Sequence, residues 1–277
     1  MSVLWDLAQV QASPLFAAVH PALARANWPS QQWPTLSDYQ ALLDRLPPLR
    51  TGSGARLRVA PQAAEKPQDW YQGYEPRIYA TGALQTRAEN WHDCFNLLAW
   101  ATFPLAKAAL NARHYALLEA RAGAPVPRTP GQDALTQFDE SGVIVLCADP
   151  VLTALLRAFQ WKKLFWERRA EVCVRMRCFL FGHGLMEKAL VPYRGMTGKG
   201  IVLPVSPALL ALPLEAQLIQ ADHMLADVIA EPRYLAQPRD LAPVPVLGFP
   251  GFTAENEDPA YYDDQRYFRP GRSLTAQ

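Results

Sequence analysis

Residues 91–103 read as a helix that is apolar nearly all the way round, and this constrains the chain most. Such a helix is stable only when buried. Asn90 is a good N-cap, Asp93 at the third helical position suits the helix dipole, and Pro104 opens a second helix that runs to about Ala120. At about 100° per residue, His92, Asn96 and Phe103 share one stripe, with Asp93 and Trp100 at its edge. Cys94, Leu97, Leu98 and Ala101 fill the other side. In the second helix Lys107, Asn111 and His114 follow at i, i+4 and i+7 and share a face. Polar, chemically able groups on core helices are costly unless paired or used. If the two helices form a hairpin, their polar stripes meet and bring imidazole, carboxylate and ammonium together for acid–base work.

Elsewhere the pattern mixes helices with short strands and shows no regular βαβ alternation. It predicts an α+β fold, with helices and short antiparallel strands around one core and an extended, aromatic and Pro-rich C-terminal tail. With 277 residues, half of them hydrophobic, the chain can bury a full core. We read one domain over 1–277, with a helical N-terminal segment at 1–50 and a wrapping tail at 240–277. Thr51-Gly52-Ser53-Gly54 reads as a flexible joint, 55–60 as an edge strand, and 71–81 as extended chain. Asp133 to Cys147 reads as a β-hairpin turning at Asp139-Glu140-Ser141-Gly142. Further helices are expected at 151–165, 183–191 and 214–231, and strands at 172–181 and 199–205.

A second candidate site is Phe181-Gly182-His183-Gly184-Leu185-Met186-Glu187-Lys188. His183 and Glu187 stand at i, i+4 just after a strand, where a helix N-terminus favours anions and glycines admit a close approach. The plain alternative is a tight turn with a local ion pair. His92, Asp93, His114, Asp139, Glu140, His183 and Glu187 are all competent metal ligands, though their spacing is not diagnostic. From these, His92, Asp93, His114, His183 and Glu187 form the metal candidates for a divalent ion. His223 in an amphipathic helix reads as surface, and His20 beside Pro21 as a loop residue.

Several motifs are excluded. Gly195-Met196-Thr197-Gly198-Lys199-Gly200 resembles a phosphate loop but lacks its first glycine spacing and the Ser or Thr after the lysine. No H-E-x-x-H, G-x-S-x-G or G-x-G-x-x-G occurs. Cys94, Cys147, Cys173 and Cys178 form no C-x-x-C and sit in apolar runs, which suggests buried, reduced thiols. The N-terminus lacks the pattern of a signal peptide, and no apolar run approaches ~20 residues, so a cytoplasmic protein with no membrane span is expected.

Net charge is only +1, which argues against a surface built throughout for nucleic acid. The distribution is uneven: residues 151–200 carry ten basic against three acidic groups, and residues 251–277 five acids against three arginines. A solvated face paired with an acidic tail is the simpler reading of this asymmetry.

The segments Tyr74-Glu75-Pro76-Arg77-Ile78-Tyr79, Asn90 through His114, Asp133-Ala134-Leu135-Thr136, Phe138-Asp139-Glu140, Phe181 through Tyr193 and Gly248-Phe249-Pro250-Gly251 resemble a bacterial family, the domain of unknown function 3025. So do Tyr262-Asp263-Asp264 and Phe268-Arg269-Pro270 near the end. The resemblance spans most of the chain and implies a bacterial, cytosolic protein. It brings no activity with it.

Two functional expectations follow. The first is a hydrolase or transferase for a small anionic molecule. In it His92 is general base or metal ligand, Asp93 orients it or shares the metal, and His114 and His183 are further ligands or acid–base groups. Lys107, Lys188 and Arg175 hold the anion, with Asn96, Asn111 and Lys199 also binding substrate. The second is a non-enzymatic protein using the basic 157–199 region for nucleic acid or an acidic partner.

Overall fold

The structure, a computed structural model, describes residues 4–62, 67–122 and 127–271. The N-terminal segment folds as α1 (Leu7–Ala12), α2 (His20–Ala26) and α3 (Leu36–Asp44). Then come β1 (Arg58–Pro61), α4 (Tyr74–Thr81), β2 (Ala83–Thr86), α5 (Trp91–Thr102), α6 (Pro104–Glu119) and α7 (Pro130–Ser141). The second half supplies β3 (Gly142–Cys147), α8 (Pro150–Arg157), α9 (Arg169–Arg175), β4 (Met176–Leu180), α10 (His183–Ala189) and β5 (Thr197–Pro204). It closes with α11 (Pro207–Leu210), α12 (Leu214–Ala230) and β6 (Ala242–Pro245). The class is α+β.

The main sheet has the order β4-β3-β5-β6, and β1 pairs with β2 in a separate parallel ribbon. β3 runs antiparallel to β4 and parallel to β5, and β5 runs antiparallel to β6. All six residues of β3 are buried. Because successive side chains point to opposite faces, β3 divides the core in two. Val143, Val145 and Cys147 face the layer built from α5 and the N-terminal helices. Ile144 and Leu146 face Phe103, Leu110, Leu135, Phe138 and Leu225, carried by the α5–α6 junction, α6, α7 and α12. The helices that bear the polar stripes therefore pack mainly into different layers of the core, α5 into one and α6 into the other.

Local physics explains where the elements differ from expectation. Residues 130–141 form a helix and not the first arm of a hairpin. The Thr129 hydroxyl accepts from Gln132 N–H while the Gln132 side chain accepts from Thr129 N–H, and Pro130 stands at the first helical position. Gly142 then ends α7 and starts β3 directly. Residues 74–81 are also helical. Pro76 lies in the first turn, where no amide hydrogen is required, and Gly82 at φ 67° supplies a left-handed C-cap. The expected strand at 172–181 is helix up to Arg175 and strand only from Met176, so Arg175 and Arg177 share no strand face. The 151–165 helix breaks at Phe159 (φ 58°) and resumes in a π-helical turn over Lys163–Glu167.

The expected joint at 51–54 is a closed turn, with Thr51 N–H donating to Ala55 C=O (3.0 Å) and Gly54 N–H to Thr51 C=O (2.9 Å). His20 begins α2, its Nε2 3.1 Å from Val10 C=O, and is not in a loop. Cys173 is exposed, unlike the other three cysteines. Helix α6 has no capping side chain of its own. Asp222 on α12 substitutes, accepting from Leu105 N–H (3.0 Å) and Ala106 N–H (2.8 Å).

The tail packs back on the body as far as residue 271; residues 272–277 of the predicted tail lie outside the described residues. Tyr261, Tyr262, Tyr267 and Phe268 are buried, and the fully buried Asn256 amide donates to Leu247 and Phe249 carbonyls (2.9 and 2.7 Å). Its acids pair with the basic region: Lys162 with Asp263 (2.7 Å), Arg194 with Glu255 (2.8 Å), and Arg169 with Glu257.

Candidate functional site

Three helices converge above the α7–β3 junction. On α5, the Asn90 side chain caps Asp93 N–H (3.0 Å) and fixes the first turn, which projects His92 outward. On α10, the chain leaves β4 through Gly182 and places His183 at the helix start. A Cβ on Gly182 would lie 2.3 Å from Gly142 N, and one on Gly184 would lie 2.4 Å from Glu140 Oε2. Only glycines let α10 press this closely on the last turn of α7. Glu140 thereby arrives beside both histidines, and Asp139 beside His183.

His92 Nε2 lies 3.8 Å and His183 Nε2 3.6 Å from the same oxygen, Glu140 Oε1. The two rings stand edge to face, with centroids 4.4 Å apart. Each ring has a second carboxylate behind it. His92 Nδ1 is 3.1 Å from Glu187 Oε2, and His183 Nδ1 is 3.9 Å from Asp139 Oδ1. His183 is only 5 % exposed, and its Nδ1 has no hydrogen-bond partner.

Charge sets the protonation states. Lys107 is buried, its ammonium bonded to Asp139 and lying 5.7 Å from the centroid of the Trp100 ring. Burial works to raise the Asp139 carboxyl, but Lys107 and then His183 hold it well below the usual carboxylate range. The His183 ring beside Glu140, opposed by burial, also lowers that carboxyl. Asp93 is bound by Arg87 through backbone N–H (2.7 Å), Nε (2.9 Å) and Nη2 (2.8 Å). Burial would raise its pKa, and these bonds outweigh it and lower it.

The cluster floors an open cavity of about 540 Å³. Of the predicted site residues, His92, Asp93, Asn96, His114 and His183 line it. Arg87, Arg121 and Arg128 contribute cationic wall, and Asp139 and Glu140 complete the floor. Lys107 and Asn111 lie beneath, in a small adjoining space. Lys107 holds Asp139 there, and the Asn111 amide donates to Glu75 C=O (2.9 Å) and Oε2 (2.6 Å), tying α4 to α6. The Asn96 amide donates to Tyr74 Oη (2.6 Å), leaving Asn96 Oδ1 without a partner.

Other predicted residues stand elsewhere. Arg175 is exposed at the end of α9, Lys188 is exposed on α10, and Lys199 is half-buried on β5 opposite Gly142 and Pro243. None lines the cavity. Asp93 is committed to Arg87, and Glu187, not Asp93, stands behind His92. Glu140 was chemically eligible in the sequence, but the hairpin reading put it at a turn. The Thr129 capping box was the signal that could have moved it onto a helix. Arg87, Arg121 and Arg128 carried no sequence signal.

Fold and site together define an α+β protein with a histidine–carboxylate cluster at the floor of an open cavity. The chain belongs to the family described as Protein of unknown function (DUF3025), whose model matches residues 57–272. Every residue of the cluster falls within that span. No curated protein and no solved structure matches the chain. Among the described residues, no helix is long and apolar enough to cross a membrane.

Proposed function

We propose that the chain is a hydrolase or group transferase acting on a small anionic molecule bound in the cavity of His92 and His183. The observation that carries this reading is the convergence of two imidazoles on one carboxylate at the floor of a space large enough for a small substrate. His92, with Nδ1 turned to Glu187, presents Nε2 as a base for water or a substrate hydroxyl. His183, backed by Asp139, serves as the partnering acid. Arg87, Arg121 and Arg128 are the wall groups that would hold an anion, in competition with Asp93 on Arg87 and Asp133 on Arg128. Lys107 acts through Asp139 and not by touching the anion.

The alternative, a basic binding face over 157–199, loses support because Lys162, Arg169 and Arg194 pair with the chain's own acidic tail. A panel of phosphate mono- and diesters and carboxylate esters tests the enzyme reading. Turnover should fall at least ~100-fold in both His92→Ala and His183→Ala. A turnover that both folded variants retain at the wild-type level would refute the assignment.

A further inference from the structure

We infer that His92 Nε2, His183 Nε2 and Glu140 Oε1 are the protein ligands of a divalent transition-metal ion, zinc foremost. This deepens the enzyme reading of the same cavity, replacing the direct acid–base roles of the two Nε2 atoms with a water activated by the ion, and rests on that reading only for the chemistry, not for the binding.

The spacing comes first. The donor pairs that meet at Glu140 Oε1 are 3.6 and 3.8 Å apart, too long for ordinary hydrogen bonds. Bonds of ~2.1 Å in a tetrahedron put donors ~3.4 Å apart, so the two histidine–glutamate pairs need shifts of only a few tenths of an ångström to hold a zinc ion. His92, Glu140 and His183 each offer one ligand atom within 4.8 Å of the other two. Two imidazoles and one carboxylate suit zinc or iron(II) better than magnesium or calcium, which favour all-oxygen sets.

The second observation is the orientation of the rings. A metal-bound imidazole donates its other N–H to a carboxylate or carbonyl, which fixes the tautomer. Here the hydrogen bond exists on His92, and on His183 a carboxylate stands 3.9 Å from Nδ1, a short shift from the same contact. Glu187 faces His92 Nδ1 and Asp139 faces His183 Nδ1, so both Nε2 lone pairs are free for the same point. The buried, unpartnered Nδ1 of His183 gains its reason from this, since a metal on Nε2 makes Nδ1–H a stronger donor to Asp139. The Lys107 ammonium bonds to that carboxylate and fixes its place behind the ring.

The third is access. His183 is almost fully buried, whereas the His92 and Glu140 side chains are 28 % and 44 % exposed toward the cavity side. Three protein ligands with an open approach leave a position for water, the pattern of a catalytic and not a structural site. Such an ion would supply a water acidified to near neutral pH; the hydroxide would add to the carbon or phosphorus of an ester, the ester C–O or P–O bond would break, and the departing alkoxide would take up the proton the water lost, by way of solvent.

The test uses the full chain, freed of metal with a chelator and titrated with Zn²⁺ by calorimetry and with Co²⁺ by visible absorption. We expect one ion per chain and a Co²⁺ spectrum of four- or five-coordinate geometry. His92→Asn, at the exposed edge and so tolerant of change, should weaken Zn²⁺ binding at least ~100-fold, and Glu187→Gln ~10–100-fold. Absence of Zn²⁺ binding at tens of micromolar, or binding unchanged in folded His92→Asn and Glu140→Gln, would overturn the inference. Turnover by metal-free protein at the full rate overturns it while leaving the enzyme reading intact. Metal binding without any turnover sustains it while the enzyme reading falls.

Discussion

Removing the Lys107 ammonium should damage both stability and the site. The Lys107 and Asp139 side chains are 5 % and 13 % exposed, so their ion pair is shielded from water. At an effective dielectric of ~20, opposite charges 4 Å apart attract by about 4 kcal/mol. The Trp100 and Phe181 rings, 5.7 and 6.0 Å from Nζ, add about 1 kcal/mol. Against this stands the desolvation of the lysine, which Lys107→Met no longer suffers. Asp139 remains buried without its main counter-charge, a situation that costs about 3–5 kcal/mol. Urea unfolding of Lys107→Met should therefore show a lower midpoint at unchanged slope. Adding Asp139→Asn removes the stranded charge, and the double variant should recover more than half of the loss. A single-variant cost below ~1 kcal/mol would refute the reasoning. So would strictly additive losses, because coupled charges must show an interaction energy.

Three further outcomes follow from the geometry. Gly184→Ala drives a Cβ mainly against the flexible end of Glu140, with the Glu140 carbonyl oxygen a looser 3.0 Å away, whereas Gly182→Ala meets the Gly142 and Ser141 backbone. The first should cut Zn²⁺ affinity at least ~10-fold with under ~1 kcal/mol of destabilisation, and the second should cost about 3 kcal/mol, as read by calorimetry and urea unfolding. Burial pushes the Asp222 carboxyl up to about 6, against the Ala106 and Leu105 N–H groups that lower it. The folded chain therefore binds this proton more tightly than the unfolded one, so its contribution to stability falls as pH rises from about 4 to about 6. Asp222→Asn should lose that slope in urea midpoints measured across this window. Trp5 stacks on Trp91 at 4.5 Å and donates from Nε1 to Pro29 C=O (2.9 Å), so Trp5→Ala should cost about 3–5 kcal/mol in the same assay.

What the sequence made legible was local. Asn90, Pro104 and the apolar stripes defined α5 and α6 because caps and periodicity act within a turn or two. The same local rules misplaced α4 and α7. Pro76 looked like a breaker but sat where a first turn tolerates it, and Asp139 to Gly142 looked like a hairpin turn but formed a helix end. His92, His114 and His183 could be nominated by chemistry, but only His92 and His183 meet at Glu140, and that depends on α10 pressing on the last turn of α7, a tertiary fact.

Glu187 shows why spacing alone misleads. Its i, i+4 relation to His183 suggested an ion pair within α10, but such a pair contributes only about 0.3–0.5 kcal/mol on a helix surface. The close approach of α7 sets His183 under Glu140 instead, and Glu187 turns across to α5 to meet His92. Weak local preferences yield to packing when they compete. The residues left over from two local pairings, His92 without Asp93 and His183 without Glu187, are the ones that the fold combines. Sites assembled across helices in this way are read from residue chemistry first and from contact geometry second, because spacing constrains only partners on the same element.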